Sequence, residues 1–327
     1  MKANKLLVIS LIALAVTSSL LVSVLILVLN FHRITPTNPT AADPGPSQRI
    51  NTNWYGFDPV APASLLAETG STAAWSPDGR QILFKDQGLL HMLDLPARTT
   101  RSLEIEGGHP AWAPSGALLA CVRQGAYGTN DSYLNEEVWI VPMKEGPARR
   151  LIRGGFPSWS VDGRTLYVHS RANHQLLAIN ASDLDAPPTV FYDKTPSYYF
   201  SVAPDGRQIA FGSRNQLEIL DRTTRAVVRQ WPTPGHRGLL PGWSPDGALV
   251  AFGGFNGTQL GVWILQMSTG RAVRVKEGRF TMPVWSADGR WLAFDERASG
   301  RNSIWLVGRP HLDQLLEGAS SPDQRSQ

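Results

Sequence analysis

Five aspartates stand at the same place in a repeated turn sequence, and acidic residues that recur in this way could be catalytic carboxylates or calcium ligands. They are Asp78, Asp162, Asp205, Asp246 and Asp288. Each is followed directly by glycine, as in "WSPDGR" at residues 75–80. In such a turn proline presets φ, aspartate accepts hydrogen bonds from nearby backbone, and glycine takes a positive φ. Because each aspartate belongs to a different repeat, we interpret the set as turn residues.

Other residues with catalytic or metal-binding potential form no motif. The histidines are His32, His91, His109, His169, His174, His236 and His311. None belongs to an H-E-x-x-H sequence or a close His/Cys cluster, so the sequence predicts no metal site. The chain also contains no P-loop, no G-x-G-x-x-G and no G-x-S-x-G. We therefore expect no cofactor and no serine nucleophile of the hydrolase type.

Composition argues against nucleic-acid binding. The net charge is only +4 and the basic residues are scattered, whereas nucleic-acid-binding proteins carry a concentrated basic face. The single cysteine, Cys121, follows the apolar residues "ALLA", and we expect it to be a buried small hydrophobe. The 24 prolines and 30 glycines are typical of a fold with many turns and few long helices.

An uncharged apolar run, Leu6–Leu29, dominates the N-terminal part of the sequence. As a helix it would be about 36 Å long, enough to cross a hydrocarbon core of about 30 Å with some tilt. We interpret residues 6–30 as one transmembrane helix that anchors the protein. The run is longer than the apolar core of an ordinary signal peptide, although a long signal peptide remains the alternative.

Flanking charge predicts the orientation of this span. Lys2 and Lys5 precede it, which favours a cytoplasmic N-terminus (residues 1–5) and an extracytoplasmic position for the rest of the chain. Small residues recur every four positions within the span, a pattern that supports a weak helix–helix dimer. They are Ala15, Ser19 and Ser23. Residues 31–53 include "TPTNPTAADPGPS" and are interpreted as an extended linker rich in proline and threonine.

The turn sequence recurs six times in the remainder of the chain. Its glycines are Gly79, Gly116, Gly163, Gly206, Gly247 and Gly289. They are 37 to 47 residues apart, which is the period of a four-stranded propeller blade. A tryptophan precedes each turn except in the fourth copy, where Val202 takes its place, and we expect these tryptophans to pack between blades. The sequence predicts an all-β, six-bladed propeller over residues 54–308, followed by a tail over residues 309–327.

Closure of the ring has two candidate strands. Residues near Leu65–Glu68 resemble the outer strand that precedes each later turn, and we expect them to complete the last blade. The alternative is that "HLDQLLEG" of the tail supplies this strand.

The repeated pattern P-x-W-S-P-D-G-R, followed by an apolar strand, resembles the WD-like repeat of the TolB propeller family over about residues 60–308. Propeller domains of the prolyl oligopeptidase and dipeptidyl peptidase relatives have similar blades. The resemblance implies the fold and not a specific partner, because we expect a membrane span where TolB has an α/β domain. The protein is therefore expected to be TolB-like and not TolB itself.

One mouth of the predicted channel carries the candidate binding residues. The positions three residues before each tryptophan, or before Val202, enter the innermost strands. They are Thr72, His109, Phe156, Tyr199, Leu240 and Met282. Loops on the same face add Tyr127, Tyr133, Arg171, Tyr198 and Phe255. Aromatic residues with arginine on exposed loops are typical of interaction surfaces, although the same side chains could instead plug the channel.

Three functions are compatible with this pattern. The first is a membrane-tethered, extracytoplasmic and non-catalytic module that binds a protein, peptide or glycan at the channel mouth. The second is a hydrolase or lyase whose acid/base set would combine His109 with Glu136 or His236 at the same mouth. The third is a structural scaffold of the cell envelope.

Overall fold

The computed structural model describes residues 57–124, 135–195, 197–212, 216–232, 240–256, 259–298 and 301–318. Within these ranges the chain forms twenty-four β-strands and one α-helix. The apolar run Leu6–Leu29, with Ala15, Ser19 and Ser23, and the linker over residues 31–53 lie outside them. In the part of the chain that the structure describes, no helix has the length and apolar character needed to cross a bilayer.

The strands form six antiparallel sheets of four strands each. The first sheet consists of β2 (Ser71–Trp75), β3 (Gln81–Asp86), β4 (Leu89–Asp94) and β5 (Thr99–Glu106). The second consists of β6 (Gly108–Trp112), β7 (Leu118–Gln124), β8 (Glu136–Pro142) and β9 (Arg149–Arg153). The third consists of β10 (Gly155–Trp159), β11 (Thr165–Ser170), β12 (Gln175–Asn180) and β13 (Thr189–Tyr192).

The other three sheets repeat the same order. The fourth consists of β14 (Tyr199–Val202), β15 (Gln208–Gly212), β16 (Gln216–Asp221) and β17 (Val227–Pro232). The fifth consists of β18 (Gly242–Trp243), β19 (Leu249–Asn256), β20 (Gln259–Gln266) and β21 (Arg271–Glu277). The sixth consists of β22 (Phe280–Trp285), β23 (Trp291–Ala298), β24 (Arg301–Gly308) and β1 (Ser64–Ala67).

The first strand of each blade lies innermost, and these six strands surround a central channel. Each inner strand contacts the inner strands of both neighbouring sheets, so β2, β6, β10, β14, β18 and β22 close a ring. The core is divided into six apolar clusters, each of which combines residues of two adjacent sheets. This arrangement confirms the prediction of a six-bladed propeller. Each blade buries its faces against the neighbouring blades, because a single blade cannot bury both of them alone.

The repeated turn joins the first and second strands of each blade. All six turn glycines have φ between 69° and 72°, the left-handed conformation that glycine adopts most readily. The aspartate accepts a hydrogen bond from the backbone two residues later, as Asp78 does from the Arg80 N–H at 3.0 Å. The aspartates are therefore turn residues, as the sequence indicates.

Sequence reasoning missed the role of the serine that follows the tryptophan in four of the six turns. The Ser244 hydroxyl is fully buried; it donates to Asp246 at 2.5 Å and accepts from the Leu249 N–H at 2.9 Å. Ser76, Ser160 and Ser286 make the same two contacts. The second and fourth copies have alanine at this position. The recurrence of serine in the other four copies was the sequence signal that could have indicated its role in the turn.

Tryptophans at the ends of the inner strands connect neighbouring blades. The indole N–H of Trp159 donates to the Ala111 carbonyl of the preceding blade at 3.0 Å. Equivalent bonds from Trp75, Trp243 and Trp285 are 3.1 to 3.2 Å long. In the fourth blade, Val202 packs with Phe200 and the adjacent tyrosines in the cluster between the third and fourth sheets.

The N-terminal strand closes the ring. In the last sheet, β1 pairs with β24, with Ser64 opposite Leu306 and Leu65 opposite Trp305. Gly308, at the end of β24, lies against the backbone of Pro59 so closely that a Cβ would overlap it. The alternative closure is wrong, because "HLDQLLEG" belongs to helix α1 (Arg309–Gly318), which packs against β21 and β24.

Candidate functional site

Four inner strands contain the same backbone irregularity where they enter the channel. The register with the second strand shifts in the first, second, third and sixth sheets. A residue with positive φ lies within each shift: Thr72 (55°), His109 (47°), Phe156 (52°) and Met282 (53°). Non-glycine residues adopt this conformation rarely, and it costs about 1–3 kcal/mol where the surrounding structure enforces it. These are four of the six positions that the sequence analysis selected from their distance to tryptophan.

Aromatic side chains from three consecutive blades form a row across the channel. The ring centroids of His109 and Phe156 are 4.5 Å apart, and those of Phe156 and Tyr199 are 5.0 Å apart. Both pairs meet edge to face, the arrangement that aromatic quadrupoles favour. Phe156 is only 8% exposed, whereas His109 and Tyr199 are partly exposed. Phe156 therefore fills the interior of the row, and the residues at its two ends are partly exposed.

The guanidinium of Arg171 packs against the aromatic row. It lies 5.4 Å from the Phe156 ring centroid and 4.9 Å from that of Tyr198, and it forms an ion pair with Glu136 at 2.9 Å. The two charged side chains are only 11% and 8% exposed. Burial raises the pKa of Glu136, against the attraction of Arg171. Arg171 lies at the predicted mouth, but its contacts are intramolecular ones that position Phe156 and Tyr198.

A glycine makes room for the ion pair. A Cβ at Gly155 would lie 2.6 Å from Oε2 of Glu136, so no larger residue fits without moving the carboxylate. Glu136 is also the carboxylate that the sequence offers as an acid/base partner of His109. In the structure this carboxylate already forms an ion pair with Arg171. His236, the other predicted partner of His109, lies outside the described residues, as do Tyr127 and Tyr133.

Two of the remaining predicted residues line the same opening. Met282 and Leu240 line the channel, and Met282 also lines a polar cavity beside it. Phe255 lies on β19, where its backbone pairs with Leu260. Among the described residues, no group of three histidine, cysteine or acidic side chains could hold a metal ion.

A buried histidine network beside Arg171 was not predicted. His169 is completely buried on β11, and its Nε2 lies 2.7 Å from the Thr195 hydroxyl. That hydroxyl also donates to the His174 carbonyl at 3.2 Å, so it accepts a hydrogen bond from Nε2–H of His169. Tyr198 packs edge to face on His169 and stacks on His174. The network fixes the Tyr198 ring that covers Arg171.

We expect His169 to make folding stability depend on pH. Burial, with smaller effects from Arg171 and His174, lowers the pKa of His169 from 6.5 to about 4. Between these pH values His169 is protonated in the unfolded chain but neutral in the folded chain. The contribution of neutral His169 to folding stability is therefore fully present above pH 6.5 and is lost as the pH falls towards 4. The loss at pH 4 is on the order of 3 kcal/mol. Urea unfolding of wild type and His169→Gln at pH 7 and 4.5 measures it.

Glutamine retains a nitrogen near the position of Nε2 but cannot titrate, so His169→Gln should lose less stability than wild type on acidification. His174→Gln, which changes an exposed histidine of the same network, is the matched control and should behave as wild type. Parallel pH profiles for wild type and His169→Gln would contradict the prediction.

A polar cavity opens beside the aromatic row. Its volume is about 490 Å³, and it lies where the sixth, first and second sheets meet. Its charged lining residues are Lys85, Arg297 and Asp86, and His109 and Asn302 also face it. Burial lowers the pKa of His109 to about 4, and the positive charges of Lys85, Arg171 and Arg297 contribute further. His109 is therefore neutral at physiological pH.

Comparisons with known proteins extend the description of the fold. No family model matches the chain. An uncharacterised protein of Agrobacterium fabrum is 25% identical over 46% of this chain and 53% of its own length. TolB of the Tol-Pal system from Francisella tularensis is 23% identical over 55% of this chain and 40% of its own length. The chain thus spans about half, or less, of the curated relatives that it matches.

A solved structure gives the same architecture. A protein of Agrobacterium tumefaciens, provisionally called TolB, aligns with a TM-score of 0.54 at 18% identity. The alignment covers 74% of this chain and 91% of that protein. At this level of identity the likeness establishes the fold alone. The protein has a TolB-like, six-bladed β-propeller fold.

Proposed function

We propose that this protein is a non-catalytic binding module that recognises a protein or peptide at the channel-mouth face. The observation that carries the proposal is the row His109–Phe156–Tyr199, which spans three consecutive blades and is held by buried contacts. A rigid aromatic group with accessible ends provides a large contact area at a small entropic cost, as in many interaction surfaces.

The absence of catalysis is part of this proposal. The carboxylate of Glu136 is bound to Arg171, and Phe156 occupies the space between His109 and Tyr199. An acid/base pair at this mouth would need to release one of these contacts before it could act on a substrate.

A membrane-tethered, extracytoplasmic location completes the proposal. It is supported by the apolar run Leu6–Leu29 and by the lysines before it. The likeness to TolB, a protein named for the Tol-Pal system, is consistent with a partner in the cell envelope. Fractionation of cells that express the full chain, with protease treatment of intact spheroplasts, tests the location.

Crosslinking tests the binding face. A photoreactive residue at Tyr199, which is partly exposed, is expected to crosslink a discrete partner in cells, and the partner is then identified by mass spectrometry. The matched position is Val161, which is 58% exposed in a turn at the opposite mouth. Tyr199→Ala should reduce copurification of that partner at least about tenfold, and thermal unfolding of the purified variant confirms that it is folded.

Equal crosslinking from Tyr199 and Val161, or full copurification with Tyr199→Ala, would refute the assignment of the face. Phe156→Ala is a poor test, because Phe156 is buried in the core between the third and fourth sheets and its loss would destabilise the fold.

A further inference from the structure

The cavity at the junction of the sixth, first and second sheets contains two positive charges that form no ion pair among the described residues. Neither the Lys85 ammonium nor the Arg297 guanidinium takes part in any ion pair found there. Arg171, in contrast, is neutralised by Glu136 at 2.9 Å. Asp86 is the only acidic residue that lines the cavity within the described ranges. Lys85 and Arg297 are therefore available to an anionic ligand.

The electrostatic effect on His109 points in the same direction. Apart from burial, the groups that shift its pKa are Lys85, Arg171 and Arg297, and all three are cationic. Arg171 is paired with Glu136, so Lys85 and Arg297 are the two of these groups that form no ion pair among the described residues. The centre of the mouth thus lies in a positive potential, which favours negative charge on whatever binds there.

Uncharged polar groups complete the lining. Asn302, Gln87 and Ser71 face the cavity, and the Thr72 hydroxyl accepts a hydrogen bond from the His109 backbone N–H at 3.3 Å. An arginine fork, a lysine and amide donors together match the geometry of carboxylate oxygens.

We propose that this cavity binds the carboxylates of an acidic peptide segment through Lys85 and Arg297, while apolar side chains of the same segment contact the row His109–Phe156–Tyr199. The proposal rests on the proposed binding function and names its ligand class.

A peptide is favoured over a small anion by the shape of the site. The cavity volume of about 490 Å³ is far larger than a single carboxylate requires. His109 lines both this cavity and the apolar channel mouth, so the polar and aromatic surfaces are continuous. A ligand that uses both must carry acidic and apolar groups a few ångströms apart, as alternating residues of an extended peptide do.

Direct binding to the full-length protein in detergent tests the proposal. The probe is a fluorescein-labelled hexapeptide of alternating glutamate and leucine, and the comparison probe has glutamine in place of glutamate. We expect the glutamate peptide to bind at least about tenfold more tightly in fluorescence anisotropy, with an affinity that falls as salt is raised. Unlabelled glutarate as competitor should displace it weakly, since glutarate lacks the apolar groups.

Charge-neutralising variants locate the site. The double variant Lys85→Gln with Arg297→Gln should lose at least about tenfold in affinity for the glutamate peptide and most of the salt dependence. The matched control, Lys144→Gln with Arg207→Gln, removes two exposed charges from turns at the opposite face and should bind as wild type. Lys85→Arg should retain binding, and thermal unfolding confirms that each variant is folded.

Several results would overturn the proposal. They are equal affinity for the two peptides, no binding of either peptide, displacement by glutarate as effective as by the unlabelled peptide, and equal losses in the two double variants. The outcome is separable from that of the proposed function. If the Tyr199-dependent partner copurifies normally with the Lys85/Arg297 double variant and the glutamate peptide shows no preference, the carboxylate site fails while the binding face stands.

Discussion

Replacing Arg171 by methionine will lower the free energy of unfolding by about 3–5 kcal/mol, because it leaves the buried Glu136 carboxylate without its counter-charge. Both side chains are almost fully buried, and the pair is 2.9 Å apart. Methionine keeps much of the apolar volume between Phe156 and Tyr198, so the loss reports on charge more than on packing. Urea unfolding followed by circular dichroism at pH 7 measures the effect.

The neighbouring carboxylate provides the matched control. Glu137 pairs with Arg150 at 3.3 Å, but Arg150 is 52% exposed. Because solvent screens that pair, Arg150→Met should cost no more than about 1 kcal/mol. Adding Glu136→Gln to Arg171→Met should recover part of the loss, since the uncompensated charge is removed. Equal costs for the two arginine variants would show that burial of the Arg171–Glu136 pair does not determine its contribution.

Trp243→Ala should destabilise the protein by about 3–5 kcal/mol, because this side chain fills the junction between the fourth and fifth blades. Trp243 is 9% exposed and packs in the cluster that contains Leu217, Ile219 and Phe252. Its indole N–H also donates to the Ser201 carbonyl across the junction at 3.1 Å. Removing the ring leaves a cavity that the rigid sheets cannot collapse to fill.

Trp243→Phe separates packing from hydrogen bonding. Phenylalanine retains most of the buried ring but not the donor, so this variant should cost only about 1–2 kcal/mol. Denaturant midpoints and slopes for both variants, compared with Val190→Ala on the exposed outer strand β13, provide the measurement. If phenylalanine is as harmful as alanine, the hydrogen bond and not the interblade packing dominates at this junction.

Positions in the candidate site could be predicted from spacing, but their environments could not. Counting three residues back from each tryptophan selected His109, Phe156 and Tyr199, and the structure brings these rings into contact. The same count gave no indication that Phe156 is buried. Burial at the channel depends on how far six inner strands approach one another, which is a property of the closed ring.

The support beneath the aromatic row was also invisible in the sequence. Glu136 and Arg171 lie on different blades, and they meet only because Gly155 leaves space for the carboxylate. Lys85 and Arg297 are more than two hundred residues apart in the sequence, and they line one cavity only because the sixth blade closes beside the first. No local pattern distinguishes these charges from the scattered basic residues elsewhere.

The amino-acid sequence by itself determined the repeat, its turn chemistry and the number of blades, because these depend on local rules. Glycine takes a positive φ, aspartate binds nearby backbone, and strands with two apolar faces must stack. Only the tertiary structure decided which strand closes the ring, which inner residues adopt the left-handed conformation, and which charges meet at the channel mouth. Those features arise from contacts between residues far apart in the chain, whose distances are set when all six blades share one axis.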